Sequence, residues 1–170
     1  MQKIILKFGL IAGLLTATFM VITMVFFSPQ ADSNWGAFVG YASMIIAFST
    51  IFMGIRAYRD QTTDSRLTFL QGLTLGLGIT AIATVFYVTA WMIYYPLGGQ
   101  EIMDNYFNTS LEKIKTSGLV EAELHQKLAE MEKFRQEYQN PLVRILYTIF
   151  EIFPVGLIIT LISALILRRK

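Results

Sequence analysis

From Leu67 to Tyr95 the chain carries no charged residue at all. An apolar run of that length exceeds the roughly 20 residues that a helix needs to cross a bilayer, and it constrains everything around it. The apolar residues elsewhere also come in blocks, not in the 3.6- or 2-residue alternation of a water-facing fold. Hydrophobic content is 54% over 170 residues, above the roughly 45–50% of soluble domains. These features predict an all-α integral membrane protein in one domain, residues 1–170. Its four-transmembrane-helix bundle has spans expected at about 5–27, 35–55, 70–94 and 142–167.

The first span follows a basic start, Lys3 and Lys7. A cleaved signal peptide begins similarly, but its apolar region is usually about 7–15 residues long and ends at a small-x-small site. The run from Phe8 to Phe27 is longer and meets Ser28-Pro29-Gln30. A retained span is therefore expected, with a three-span chain as the alternative. A short turn with Pro29, Asp32 and Asn34 leads to Trp35, an interfacial anchor that opens the second span. The third span leaves through Trp91, Tyr94 and Tyr95, with Pro96 and Gly98-Gly99 closing the helix.

Residues 100–140 change character, with eight acidic and five basic residues among apolar positions at helical spacing. Leu124, Leu128, Met131 and Tyr138 fall on one helical face. Ile102, Met103, Tyr106 and Phe107 make a shorter amphipathic piece, and Gly118 separates the two. The expectation is an amphipathic helical hairpin outside the bilayer, inserted between spans 3 and 4. Asn140 as N-cap and Pro141 at the first helical position start the fourth span.

Orientation follows from the basic residues, because Lys and Arg near span ends are retained on the cytoplasmic side. Lys3 and Lys7, then Arg56, Arg59 and Arg66, then Arg168, Arg169 and Lys170 all fall on one side of a four-span chain. The first loop has no Lys or Arg, and the 100–140 insert is net acidic. Both termini and the Arg56–Arg66 turn are expected in the cytoplasm, and the hairpin is expected to be extracytoplasmic.

The turn Arg56-x-Tyr58-Arg59-Asp60 precedes a span with Gly72 and Gly76 and an aromatic exit at Trp91-x-x-Tyr94-Tyr95. The ending Glu151-Ile152-Phe153-Pro154-Val155-Gly156-Leu157 runs through Ser163-Ala164 to a basic tail. Together these resemble an uncharacterised family of small four-span membrane proteins found mainly in Bacteroidetes, the domain-of-unknown-function family numbered 4199. The likeness covers nearly the whole chain and is weakest in the 100–140 hairpin. It implies a bacterial inner-membrane protein and brings no activity, ligand or catalytic residue with it.

Glu151 is the sharpest candidate residue. It lies ten positions beyond Pro141, on the order of 15 Å into the fourth span at 1.5 Å per residue. An ionisable group there is a functional candidate by default. Pro154 leaves the Phe150 carbonyl without its helical partner, and Arg144, two turns earlier on the same face, is placed to bias Glu151 towards ionisation. The bland alternative is that Glu151 bonds a Thr, Tyr or Arg of a neighbouring span and fixes packing.

Gly9-x-x-x-Gly13, Gly36-x-x-x-Gly40 and Gly72-x-x-x-Gly76 are expected to let helix backbones approach closely. Thr80, Thr84 and Tyr87 form a polar stripe, although threonines in spans commonly bond their own helix carbonyls. Arg56, Tyr58, Arg59 and Asp60 form a candidate cytoplasmic site, with Asp60 and Asp64 expected to pair with the arginines or cap the third helix. His125 reads as a solvated surface residue. Asn108-Thr109-Ser110 matches a glycosylation acceptor, a match of little weight in a bacterial chain.

With no cysteine and one histidine, thiolate and histidine-cluster metal sites are excluded. No nucleotide loop, metal-hydrolase helix or Ser-His-Asp set is present. The expectation is a protein that is not an enzyme, needs no cofactor and binds no nucleic acid. Its expected partners are the lipid bilayer and either another membrane protein or further copies of itself. Two functions fit: an accessory or scaffold subunit whose external hairpin engages a partner, or a small oligomeric transporter or ion conductor using Glu151.

Overall fold

The computed structural model describes residues 1–27, 35–62 and 66–168, with backbone alone at 27 and 35–37. Its helices are α1 (Gln2–Phe27), α2 (Trp35–Asp60), α3 (Phe69–Tyr94), α4 (Gly99–Lys115), α5 (Glu121–Tyr138) and α6 (Pro141–Leu167), with a 3-10 turn at Tyr95–Leu97. Helices α1, α2, α3 and α6 are long and apolar enough to cross a membrane, which places the chain among multi-pass membrane proteins. The turn with Pro29, Asp32 and Asn34, together with Asp64, Arg169 and Lys170, lies outside the described residues, as do the side chains of Trp35 and Gly36.

The third helix sits against the other three spans. Ile5 of α1 meets Gly78, Gly9 meets Ile82 and Gly13 meets Phe86. The numbers rise together in steps of four, so α1 and α3 run parallel. On another face Gly72 meets Ala164, Gly76 meets Thr160 and Thr80 meets Gly156. There one number rises as the other falls, so α3 and α6 run antiparallel.

This second seam is reciprocal, each threonine filling the space above the other helix's glycine. A Cβ on Gly76 would fall 2.9 Å from Thr160 Cβ, and one on Gly156 would fall 2.9 Å from Thr80 Oγ1. The two hydroxyls lie 3.4 Å apart between them. Apolar helices gain little from leaving lipid for one another, so close backbone approach of this kind is what holds spans together. Gly54 serves α2 in the same way, against Ile79 and Phe8. Gly40 does not: among the described residues nothing approaches its open face within 4 Å, and none of them packs there.

Helix ends depart from the expected ones where charge begins. The apolar run of the second span stops near Ile55, yet α2 continues to Asp60. Arg56, Tyr58, Arg59 and Asp60 are therefore its last helical turns and not a loop. Asp60 pairs with Arg56 at 3.7 Å and with Arg59 at 2.9 Å, and Arg59 meets the negative end of the helix dipole. Hydropathy marks where hydrocarbon ends; the helix goes on in water.

The cap of α3 is Thr68, not an aspartate. Its hydroxyl accepts from the Gln71 N–H at 3.2 Å while Gln71 Oε1 accepts from the Thr68 N–H at 3.0 Å, a reciprocal capping box. At the other end Gly98-Gly99 does not simply close α3, because Gly98 caps α4 and Gly99 is its first residue. A Cβ on Gly99 would sit 3.2 Å from the Trp91 ring. Gly118, at φ 69°, makes the expected break between α4 and α5. The Asn140 side chain accepts from the Leu142 N–H at 3.0 Å, the expected N-cap of α6.

Candidate functional site

The end of the bundle where α3 stops and α6 starts is built of aromatic rings. Trp91 and Tyr95 come from the exit of α3, Phe107 from α4, Phe134 and Tyr138 from α5, and Tyr147 from α6. Phe107 meets Phe134 edge-on at 5.3 Å, and Phe134 meets Tyr147 at 4.7 Å. The Trp91 indole N–H donates to the Tyr138 hydroxyl oxygen at 3.0 Å. Such pairs are worth about 0.5–1.5 kcal/mol each beyond burial, so α4 and α5 are docked on the spans and not merely tethered to them. Arg135 of α5 adds a contact to Asp104 of α4 at 3.4 Å. The expected apolar stripe of α5 is its covered one, with Leu124, Leu128 and Met131 half-buried and Tyr138 buried, and Phe134 joins it at the same helical spacing.

Arg144 lies inside this aromatic cluster, only 6% exposed. Its guanidinium carbon is 3.2 Å from the centre of the Tyr95 ring and 5.7 Å from that of Tyr138. One nitrogen donates to the carbonyls of Tyr138, at 3.4 Å, and Gln139, at 3.2 Å. These carbonyls close the last turn of α5, where helix ends leave acceptors unsatisfied and partly negative. Arg144 therefore caps α5 from the first turn of α6. Its Nε is buried without a hydrogen-bond partner among the described residues.

Tyr138 feels the same surroundings. Burial, the largest influence, pushes its phenol up to about 12; the Trp91 hydrogen bond and the charge of Arg144 pull it back, while Glu151 adds to the rise.

Glu151 lies below the cluster, on the exposed flank of α6. Its Oε1 accepts the hydroxyl of Tyr87, from α3, at 3.2 Å. This is the tyrosine bond from a neighbouring span that the bland reading anticipates. Arg144 makes no ion pair with Glu151 among the described residues; its guanidinium turns towards the carbonyl end of α5. Pro154 stands exposed within an α6 that continues to Leu167.

The polar stripe on α3 divides. Thr84 donates to the Thr80 carbonyl at 2.9 Å, Thr80 belongs to the α6 seam, and Tyr87 alone turns to Glu151. Thr16, Thr50 and Thr148 likewise donate to carbonyls of their own helices. The candidate cytoplasmic residues Arg56, Tyr58, Arg59 and Asp60 sit at the opposite end of the bundle, with Tyr58 packed on the core. His125 is exposed on α5.

The sequence points to Arg144 and to the aromatic exit separately. The one local signal that joins them is an arginine in the first turn of a span that follows directly on Tyr138. Compared with known proteins, residues 7–169 match the family described as "Protein of unknown function (DUF4199)". No curated protein and no solved structure matches.

Proposed function

We propose, for a chain that belongs to the DUF4199 family, that this multi-pass membrane protein is a non-enzymatic accessory or scaffold subunit. Its α4–α5 hairpin engages a partner outside the membrane. The observation that carries this reading is the docking of α5. Its inner side is fixed by Phe134, Tyr138 and the Arg144 cap, while Glu121, Glu123, Lys127, Glu130, Glu132, Lys133 and Glu137 remain exposed on the other. Lys127 and Lys133 pair with Glu123 and Glu137 along the helix at 3.7 and 3.8 Å. The presented face is net acidic and suits a basic surface. The basic residues at the other end support a bacterial inner-membrane setting with both termini cytoplasmic.

Crosslinking from Lys127 and Lys133 in native membranes, with the linked peptides identified by mass spectrometry, tests this reading. A stoichiometric foreign subunit, lost when Glu130 and Glu132 are changed to lysine, is the expected result. Leu124 and Leu128 are unsuited to this purpose, because they are half-buried along the docked stripe, and charges there undock α5 itself. Self-linked products alone favour the second reading, a small oligomeric transporter or ion conductor built on Glu151 and Pro154. In that case Glu151→Gln abolishes flux in liposomes. The carboxylate on α6 speaks for this reading, and the in-helix bonding of the span threonines speaks against it.

A further inference from the structure

We infer that Glu151 is a docking point inside the membrane for a spanning helix of a different protein, one that presents a lysine or arginine at the same depth. The inference rests on one part of the accessory reading, a foreign membrane-protein partner, and not on the part that the hairpin plays in it.

The flank of α6 that its own bundle covers least carries Tyr147, Phe150, Glu151, Pro154 and Ile158, all exposed, although the Tyr147 ring also rests on Phe134 and Glu151 accepts the Tyr87 hydroxyl. Phe150, beside the carboxylate, is 72% exposed. In a bilayer this face is covered by hydrocarbon or by another helix. Four of its members suit hydrocarbon. Glu151 does not, since a carboxylate among acyl chains costs several kcal/mol unless it is paired or neutralised. Tyr87 supplies one neutral donor to one oxygen, and no cation forms an ion pair with Glu151 among the described residues. The nearest arginine along α6, Arg144, is held over Tyr95 and by two backbone carbonyls.

A second copy of the chain cannot supply the missing charge. Residues 8–55 hold one charged group, Asp32, and residues 67–100 hold none. The rest of α6 offers only the buried Arg144 before its basic end. In a copy of the same orientation the other cations lie at the far end of the bundle or on α4 and α5. The complementary charge therefore comes from a foreign helix. Glu151 fixes its depth, about 15 Å along α6 from Pro141 at 1.5 Å per residue.

The test is photocrosslinking in native membranes, with a photoreactive residue at Phe150 and, as control, at Ile166. The expected adduct from Phe150 maps to a spanning segment of another protein with a Lys or Arg within about a turn of the linked position. Glu151→Gln lowers the yield about tenfold or more, as removal of one member of a desolvated ion pair requires. Tyr87→Phe, which leaves the charge, keeps the adduct, and so does Glu151→Asp. Neutralising the partner's basic residue has the same effect as Glu151→Gln without altering this chain, so the result stands even if that variant fails to accumulate.

Adducts only to lipid or to the same chain overturn the inference. So does a linked segment without a basic residue, or a yield unchanged when the partner residue is neutralised. Loss of the α5 crosslinks with the Phe150 adduct retained removes the hairpin reading and leaves this one. The reverse pattern removes this one alone.

Discussion

A guanidinium lying 3.2 Å over a tyrosine ring, with two carbonyls in reach, has been moved out of water into a site built for its plane. Cation–π contacts are worth about 2 kcal/mol when desolvated, and a lysine cannot reproduce the stacking. Arg144→Ala should lower stability by roughly 2–4 kcal/mol, and Arg144→Lys should recover less than half of that, read by denaturant unfolding in detergent. Tyr138 gives a pH dependence with a definite sign. Its phenol loses its proton near its ordinary value of 10.0 when unfolded and near 12 when docked. Its contribution is thus complete below pH 10 and fades as pH rises towards 12. Melting temperature should fall across that interval, and Tyr138→Phe should flatten the fall. Neither residue's role was legible from spacing. Helical periodicity puts Arg144 on the face of Glu151, whereas the carbonyls that hold it lie just before its own helix and the ring beneath it comes from the exit of α3, a long-range contact. The tyrosine that bonds Glu151, sixty-four positions away in the chain, was legible as a type of partner and not as Tyr87.

Helices themselves were the most legible objects, since spans, the Asn140-Pro141 start and the Gly118 break each have a local physical cause. Their ends were less so. The sequence shows a change of solvent at Ile55, while backbone hydrogen bonding carries α2 on to Asp60. Glycine spacing was legible as a capacity for close packing, but only the neighbouring helix decides whether it is used. That difference can be measured. Gly156→Ala places a methyl against Thr80 and should cost about 1–3 kcal/mol, as overpacking does. Thr80→Ser, which removes the opposing methyl, should return part of the loss. Gly40→Ala meets nothing within 4 Å among the described residues and should leave stability unchanged or raise it by up to about 1 kcal/mol through helix propensity.

At the scale of the whole molecule, parallel α1 and α3 with antiparallel α6 bring Lys3, Lys7, Arg56, Arg59, Arg66 and Arg168 to one end and the aromatic junction to the other. This separation makes orientation testable in a chain without cysteine. A cysteine at Lys127 should react with an impermeant maleimide in intact cells, and one at Arg59 only after lysis; the opposite pattern would invert the assigned topology. The reciprocal glycine–threonine seam also bears on how the protein is made. Thr80 and Thr160 are eighty positions apart, so α3 enters the bilayer well before its complement has been synthesised. The bare glycine stripe of α3 then waits among lipids or against the insertion machinery until α6, synthesised after it, closes the bundle.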